Sequence, residues 1–370
     1  MTRPLALLLA LCCGLLATTA AAHKASDAFL YLDNRGATAT LRVDVALRDI
    51  ALLTSLDSNR DGQVTGAELR SARSAIIAAV TDTVRIEDVR GSSCTLRGAS
   101  WGLSRHSDGA YAAGRWHIQC PQGESPGRLT YNLLFDRDPL HRGLIQVIRQ
   151  DGEQLAVLSP DQRHLALTGA RPSAIGVFAS FVQQGVIHLL LGLDHLLFLL
   201  VLILPATFRQ RPAREGGLRA RLSGLVWVVT AFTVAHSITL ALAALDIVRL
   251  PVPWVELVIA FSIAVAAINT VWPFLGKKTW KLAFGFGLVH GFGFASVLAE
   301  LTSGLSGKTL ALAGFNLGVE LGQLAVLLVT FPLLYLLAGH RLYRRAAVPM
   351  VVLGVCGMSV FWMLERAGAL

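Results

Sequence analysis

The chain has 370 residues, 54% of them hydrophobic and 15% charged, with a formal net charge of +9. That composition excludes a disordered or fibrous protein and places the chain in the membrane class. The basic excess does not point to nucleic acid, because it gathers in short clusters beside apolar stretches: Arg209, Arg211, Arg214, Arg219 and Arg221; Lys277, Lys278 and Lys281; Arg341, Arg344 and Arg345. Such clusters on alternate sides of apolar segments are what the positive-inside rule predicts.

Residues 1–22 carry one basic residue, Arg3, then an apolar run from Leu5 to Ala17, then small residues ending Ala20-Ala21-Ala22. This reads as a secretory signal peptide with the mature chain starting at His23, the alternative being an uncleaved anchor. Cys12 and Cys13 lack the small preceding residue of a lipidation site. A free amino group and imidazole on His23 would together make a Cu(II) chelate; the plainer reading is a solvated terminal histidine.

Residues 23–170 read as an exported, β-rich soluble domain. From Ala37 to Leu47 apolar and polar residues alternate with period two, and FLYLDNRG before them supplies a partner strand and a turn. Further strands are expected at Thr83–Val89, Arg115–Cys120, Arg128–Phe135, Gly143–Ile148 and Gln154–Leu158, in a small sandwich or barrel. Export implies an oxidising compartment, so Cys94 and Cys120 are expected to form a disulfide. Cys356 stands alone in an apolar stretch and reads as a core residue. His106, His117, His141 and His164 are scattered and receive no role.

Within this domain LDSNRDGQVTGAEL matches a calcium-binding EF-hand loop over residues 57–68. Asp57, Asn59, Asp61, Gln63 (through its carbonyl), Thr65 and Glu68 occupy positions 1, 3, 5, 7, 9 and 12, with Gly62 at the turn. An exit helix is expected over Ala67–Val80, whereas the entry side reads as strand. The alternative is an Asp- and Gly-rich turn. Bound Ca²⁺ here would be structural rather than sensory.

TGARPSA, with Gly169 and Pro172, marks the joint to a second domain, 174–370. Six apolar stretches follow, near 177–204, 221–245, 254–273, 280–300, 309–338 and 346–364, each about the 20 residues a spanning helix needs. The fold class is an α-helical membrane bundle of six transmembrane helices preceded by the β-rich exported domain. The basic clusters then fall on the cytoplasmic side of a bacterial-type inner membrane, and both mature termini on the exported side. No inverted repeat is evident.

The apolar segments carry ionisable groups, which are expensive at bilayer depth and rarely idle there. His188 and His195, seven residues apart, would share one face of a continuous helix about 10 Å apart along its axis. Asp194 would orient a histidine of an adjacent helix, or be a ligand itself. His236 and His290 sit mid-segment in later stretches, His290 bracketed by Gly287 and Gly291, which permit close helix contact. Asn316, Glu320 and Gln323 line one stripe. Glu256 lies near a helix end, where it either joins them or reaches interfacial water. Gathered together, His188, Asp194, His195, His236, His290 and Glu320 would bind a divalent transition metal; the alternative is a hydrogen-bonded network that only joins helices. No P-loop, GxSxG or dinucleotide fingerprint appears.

His188-x5-Asp194-His195 resembles the HX5DH run of the HupE/UreJ family, and AHKASDAFL, FTVAHSITL, VELVIAFSI, FGLVHGFGFAS and FNLGVELGQ resemble its longer, exported branch. The resemblance implies a membrane protein in nickel or cobalt supply. One motif departs: shorter members carry His, HG and Glu in one helix, whereas His290-Gly291 is followed here by Phe292-Gly293, and Glu320 lies on another helix. The leading expectation is a permease or handling protein for nickel or cobalt, transporter-like rather than enzymatic. Its partners would be membrane lipid, the metal ion and a periplasmic or membrane protein, with no nucleic acid. The alternatives are an intramembrane zinc-dependent hydrolase, with Asp194 or Glu320 as base and Ser237 and Ser262 as helpers, and a non-catalytic scaffold.

Overall fold

The computed structural model describes residues 26–367 apart from 37, 62, 107–108, 140, 169–172, 209–216, 249, 276–278 and 294–307. The signal peptide, His23, Gly62, most of the TGARPSA joint, Arg209, Arg211, Arg214, Lys277 and Lys278, and the end of the 280–300 stretch lie outside the described residues. The chain divides into two compact units, one ending at Ser173 and the other beginning at Ala174.

The first unit is β-rich. Its strands are β1 (Asp27–Asn34), β2 (Thr40–Ala46), β3 (Val84–Asp88), β4 (Thr95–His106), β5 (Gly109–Gln119), β6 (Pro126–Tyr131), β7 (Arg142–Arg149), β8 (Gly152–Leu158) and β9 (His164–Ala166). They form one sheet in the order β4-β5-β2-β1-β7-β8 and another in the order β3-β6-β9. β1 and β7 pair in parallel, with Phe29 opposite Leu144, while β1 and β2 pair antiparallel, with Leu30 opposite Val43. The alternation in β2 does what period two demands: Leu41, Val43 and Val45 enter the core. Ile86, Leu129 and Tyr131 of the smaller sheet join the same core, so the two sheets share one apolar interior. Helix α1 (Gly66–Thr83) closes it with Leu69, Ile76 and Val80.

The expected strands are present, and the structure adds two that patterning did not reveal. β4 is only partly buried and its register shifts between Arg97 and Ser100, which interrupts the alternation; β9 is three residues long. Cys94 and Cys120 form the expected disulfide, which fastens the open end of the β4–β5 hairpin.

Two histidines left without a role are structural. His106 Nε2 lies 2.8 Å from the fully buried carboxylate of Asp44, which also takes two hydrogen bonds from Arg42. His141 is fully buried between Ser26 Oγ, 2.5 Å from Nδ1, and the Tyr131 hydroxyl, 2.7 Å from Nε2.

The second unit is helical. α2 (Ala174–Leu191), α4 (after α3), α5, α7 and α8 are long and apolar enough to cross a membrane, with α4 at Gly217–Ala244, α5 at Val252–Val271, α7 at Lys308–Leu337 and α8 at Val348–Ala367. α3 (Leu193–Thr207) is a shorter apolar helix, and α6 covers Thr279–Gly293. The expected single first span is therefore two helices, α2 and α3, separated at Gly192 (φ −74°, ψ 94°).

Close backbone contact organises the bundle. A side chain at Gly185 would collide with the Phe315 carbonyl of α7, and one at Gly318 with the Val182 carbonyl of α2. Side chains at Gly287 and Gly291 of α6 would strike the Phe232 and His236 carbonyls of α4. Gly314, Gly318 and Gly322 of α7 meet Phe178, Val182 and Leu189 of α2 in turn, and Gly287 and Gly291 of α6 meet Phe232 and His236 of α4, so α2 runs parallel to α7 and α4 parallel to α6. Without a strong hydrophobic force between helices in lipid, such small-residue seams hold helices together by packing.

Burial holds the His141 imidazole below its usual 6.5, at about 3, and the Arg142 guanidinium pushes the same way. The unfolded chain therefore takes up a proton that the folded domain refuses, so stability rises with pH in that interval. This contribution is complete above about 6.5 and is lost as pH falls toward 3. Thermal unfolding of the β-rich domain in the whole protein, followed by circular dichroism, is expected to drop in temperature across that window. His141→Gln is expected to flatten the slope; an unchanged slope would contradict the assignment.

Candidate metal centre

Gly192 determines the centre's geometry. The chain leaves α2 at Leu191, passes Gly192 in extended conformation and re-enters a helix at Leu193. Glycine costs helix stability, and here its missing Cβ also leaves room: an added carbon would lie 2.7 Å from His195 Nδ1 and 3.0 Å from the His188 carbonyl. On a continuous helix His188 and His195 would stand two turns apart. The break brings their ring centroids to 4.9 Å.

Asp194 sits in the first turn of α3, where the helix dipole favours a carboxylate. Its Oδ1 lies 3.0 Å from His195 Nδ1. The carboxylate thus orients its own chain neighbour, and not a histidine of an adjacent helix as the sequence led us to expect. With Nδ1–H donated to Asp194, His195 presents Nε2 as a bare acceptor, and that nitrogen is buried with no hydrogen-bond partner among the described residues. Carboxylate–histidine pairs of this kind are typical of metal ligands.

The other helices bring two further imidazoles. The His290 ring of α6 lies 5.5 Å from that of His195, and the His236 ring of α4 lies 6.3 Å from it. His290 Nε2 is 3.1 Å from Ser262 Oγ, and that hydroxyl donates to the Ile259 carbonyl at 2.7 Å. Ser262 therefore accepts from Nε2–H, which leaves His290 Nδ1 as a bare nitrogen, also buried without a partner among the described residues. His236 is wholly buried, and neither of its nitrogens has a hydrogen-bond partner among the described residues. Ligand atoms of Asp194, His195 and His290 all lie within 4.8 Å of one another. Phe198, Phe232 and Phe315 wall the cluster, with Phe198 and Phe232 5.2 and 5.3 Å from the His290 ring and Phe315 5.3 Å from that of His188.

Of the expected donors Asp194, His195 and His290 meet in this way, while the His188 and His236 rings lie beside His195 and outside that group of three. Glu320 does not join them: its Oε1 accepts from Thr230 Oγ1 of α4 at 2.7 Å, and Gln323, one turn on, accepts from Thr233 at 2.8 Å. The four-residue spacing of Asn316 and Glu320 does place both on α7's face toward α4, but that face is not the histidines' face. Glu256 pairs with Arg366 of α8, at 3.7 Å, and its carbonyl accepts from the same guanidinium at 2.9 Å. Ser262 is a hydrogen-bond partner of His290, and Ser237 donates to the Thr233 carbonyl.

In the β-rich unit, the 57–68 loop turns on its own hydrogen bonds. The Asp61 amide donates to Asp57 Oδ1 and Asn59 Oδ1 at 3.2 and 3.0 Å, and the Gln63 amide to Asp61 Oδ1 at 2.8 Å. Thr65 caps α1, and Glu68 completes a capping box with it while also accepting from Ser58. Hydrogen bonds from the Thr65 backbone and side chain and from Ser58 hold the Glu68 carboxyl down to about 2. The exit helix is as expected; on the entry side only the short turn Leu47–Ile50 is helical.

A family model described as HupE / UreJ protein matches residues 164–366, nearly all of the helical unit included. No curated protein matches the chain.

The glycine seam bears the geometry of the centre, since Gly185 lies one turn before His188 and sits against α7. Gly185→Val is expected to separate the helices and to deplete the monodisperse folded protein on gel filtration in detergent. Gly357→Val, in α8, where an added Cβ meets nothing within 4 Å, is expected to be tolerated.

Proposed function

Because the chain belongs to the HupE/UreJ family, we infer that it is a membrane permease or handling protein for a divalent transition-metal ion, nickel or cobalt, held by His188, Asp194, His195, His236 and His290. The observation that carries this reading is the set of buried imidazole nitrogens without hydrogen-bond partners, beside a carboxylate already oriented on one of them. Burying a polar group without a partner costs on the order of 1–3 kcal/mol, and His195, His236 and His290 can each offer one such nitrogen to a ligand. Neutral imidazole nitrogens with one carboxylate suit nickel, cobalt or zinc, and not calcium or magnesium. The metal is cargo in this reading: the protein's part is to strip its water, hold it and release it. A cage of several imidazoles strips water well, and the break at Gly192 puts ligands at the ends of two half-helices, the arrangement by which discontinuous helices form ion sites in transporters.

The proposed orientation places the basic clusters in the cytoplasm and the β-rich domain outside. It is supported by the way cationic groups collect at one end of the bundle. Arg221 donates to the carbonyls of Ala206 and Phe208 at the end of α3, and the Arg344 guanidinium lies over the Phe208 ring. The Glu256–Arg366 pair marks the other end.

We further propose that the 57–68 loop takes Ca²⁺. The support is the ligand spacing of Asp57, Asn59, Asp61, Gln63, Thr65 and Glu68, with an ionised Glu68 at position 12. Glu68 would exchange its hydrogen bonds with Thr65 and Ser58 for the ion.

Metal content of the purified protein tests the first reading. After loading with nickel and desalting, the wild type is expected to retain about one ion per chain, and His195→Ala to lose it while eluting as folded protein. Cells producing the wild type should accumulate nickel, and those producing His195→Ala should not. Retained zinc with no uptake would favour the hydrolase, and no transition metal in either protein would leave the scaffold. For the loop, millimolar Ca²⁺ is expected to raise the unfolding temperature of the wild type and not of Asp61→Ala; equal curves with and without calcium would end that proposal.

A further inference from the structure

The carboxylate that stands apart from the histidines has a setting of its own. Thr233 and Ser237 of α4 and Asn316 and Glu320 of α7 line a groove of about 560 Å³, flanked by the exposed side chains of Val234, Ile238 and Leu317. Thr233 precedes His236 by three residues and Ser237 follows it, so one helix turns an imidazole toward the centre and hydroxyls toward the groove on an adjoining face. On α7, Asn316 follows Phe315, whose ring packs against His188. The groove and the histidine centre therefore lie on different faces of α4 and α7, the groove opening at the bundle's outer surface beside Val234, Ile238 and Leu317.

The groove is mostly apolar in its lining, its polar residues being Thr233, Ser237, Asn316 and Glu320, and it lacks positive charge. Glu320 lies near the middle of α7 and takes one hydroxyl hydrogen bond, from Thr230, and none of the residues lining the groove is cationic. Asn316 donates through Nδ2 to the Leu312 carbonyl, while its Oδ1 is buried with no hydrogen-bond partner among the described residues. Interhelical hydrogen bonding explains Thr230, Thr233 and Gln323 and leaves that carbonyl oxygen unmatched, one turn from a carboxylate. An acidic side chain at bilayer depth costs ~2.5–3.5 kcal/mol on insertion scales, and lining a cation path is a common reason for keeping one. Carboxylate, amide and hydroxyl oxygens hold a partly hydrated ion and exchange it faster than an imidazole cage does.

We propose that this groove is a second, weaker cation site, through which the divalent metal ion passes on its way to or from the histidine centre. This rests on the permease reading above. Glu320 supplies the charge, Asn316 Oδ1 and the Ser237 hydroxyl replace part of the water shell, and the tight site and the weak one together let the ion leave as well as enter.

The test uses the full-length protein in liposomes with Ni²⁺ as the probe, reading both retained nickel per folded chain and the initial rate of nickel entry. Glu320→Gln, which keeps the size of the side chain and an acceptor for Thr230, is expected to cut the entry rate about tenfold or more while retained nickel stays at the wild-type level. Asn316→Ala is expected to lower the rate in the same direction with retention unchanged, and covers the case in which Glu320→Gln does not fold. His195→Ala is expected to lose both. A wild-type rate in both groove variants would overturn the second site. Loss of retained nickel in Glu320→Gln would also overturn it, by making Glu320 part of the histidine centre. A wild type that neither retains nor admits nickel would remove the permease reading itself, a result distinguishable from either of these.

Discussion

The helical unit encloses imidazole nitrogens that have been taken out of water and have no hydrogen-bond partner among the described residues. In an apolar bundle that arrangement is unfavourable unless something else binds them. The Asp194–His195 pair shows how the cost is contained: one nitrogen is tied to a carboxylate, which fixes the ring and its tautomer, and the other is left exposed to the shared space. Ser262 does the same for His290. Both devices are local and cheap, and each leaves one buried ring nitrogen without a hydrogen-bond partner among the described residues. The phenylalanine wall then lowers the dielectric around those nitrogens, so that a cation there is held by donors that water does not screen.

Much of this was legible in the chain. The apolar lengths, the charge clusters and four histidines inside spanning segments were enough to expect a polar centre in a membrane bundle, and the strands of the N-terminal domain could be read wherever one face was buried. What the residues could not convey was the break at Gly192. A glycine among leucines is tolerated in a membrane helix, and only the competing claims of the His188 carbonyl and the Asp194–His195 pair on the same space turn it into an interruption. The consequence was a wrong distance for the two histidines and a wrong partner for Asp194.

Glu320 illustrates a second limit. Its depth and spacing matched those of the histidines, yet spacing along one helix says nothing about which neighbour that face meets. The Thr230 and Thr233 hydroxyls settled the matter, and hydroxyls are too common in membrane helices to be read as partners in advance. In the β-rich domain the edge strand β4 escaped because it is only partly buried, through Leu96 and Trp101, and its register shifts between Arg97 and Ser100, which interrupts the alternation. The roles of His106 and His141 depend on residues far away in sequence, Asp44 and Ser26, that meet them only through sheet pairing.

The glycine seams carry one further implication. Where backbone touches backbone, two helices cannot slide or roll without collision, so α2 with α7 and α4 with α6 each behave as a single rod. His236 and His290 ride on one rod, His188 on the other, and Asp194 and His195 on the short helix hinged at Gly192. The cluster of imidazoles and carboxylate is thus assembled from three pieces of the bundle, and the spacing of its donors is set by how those pieces pack on one another.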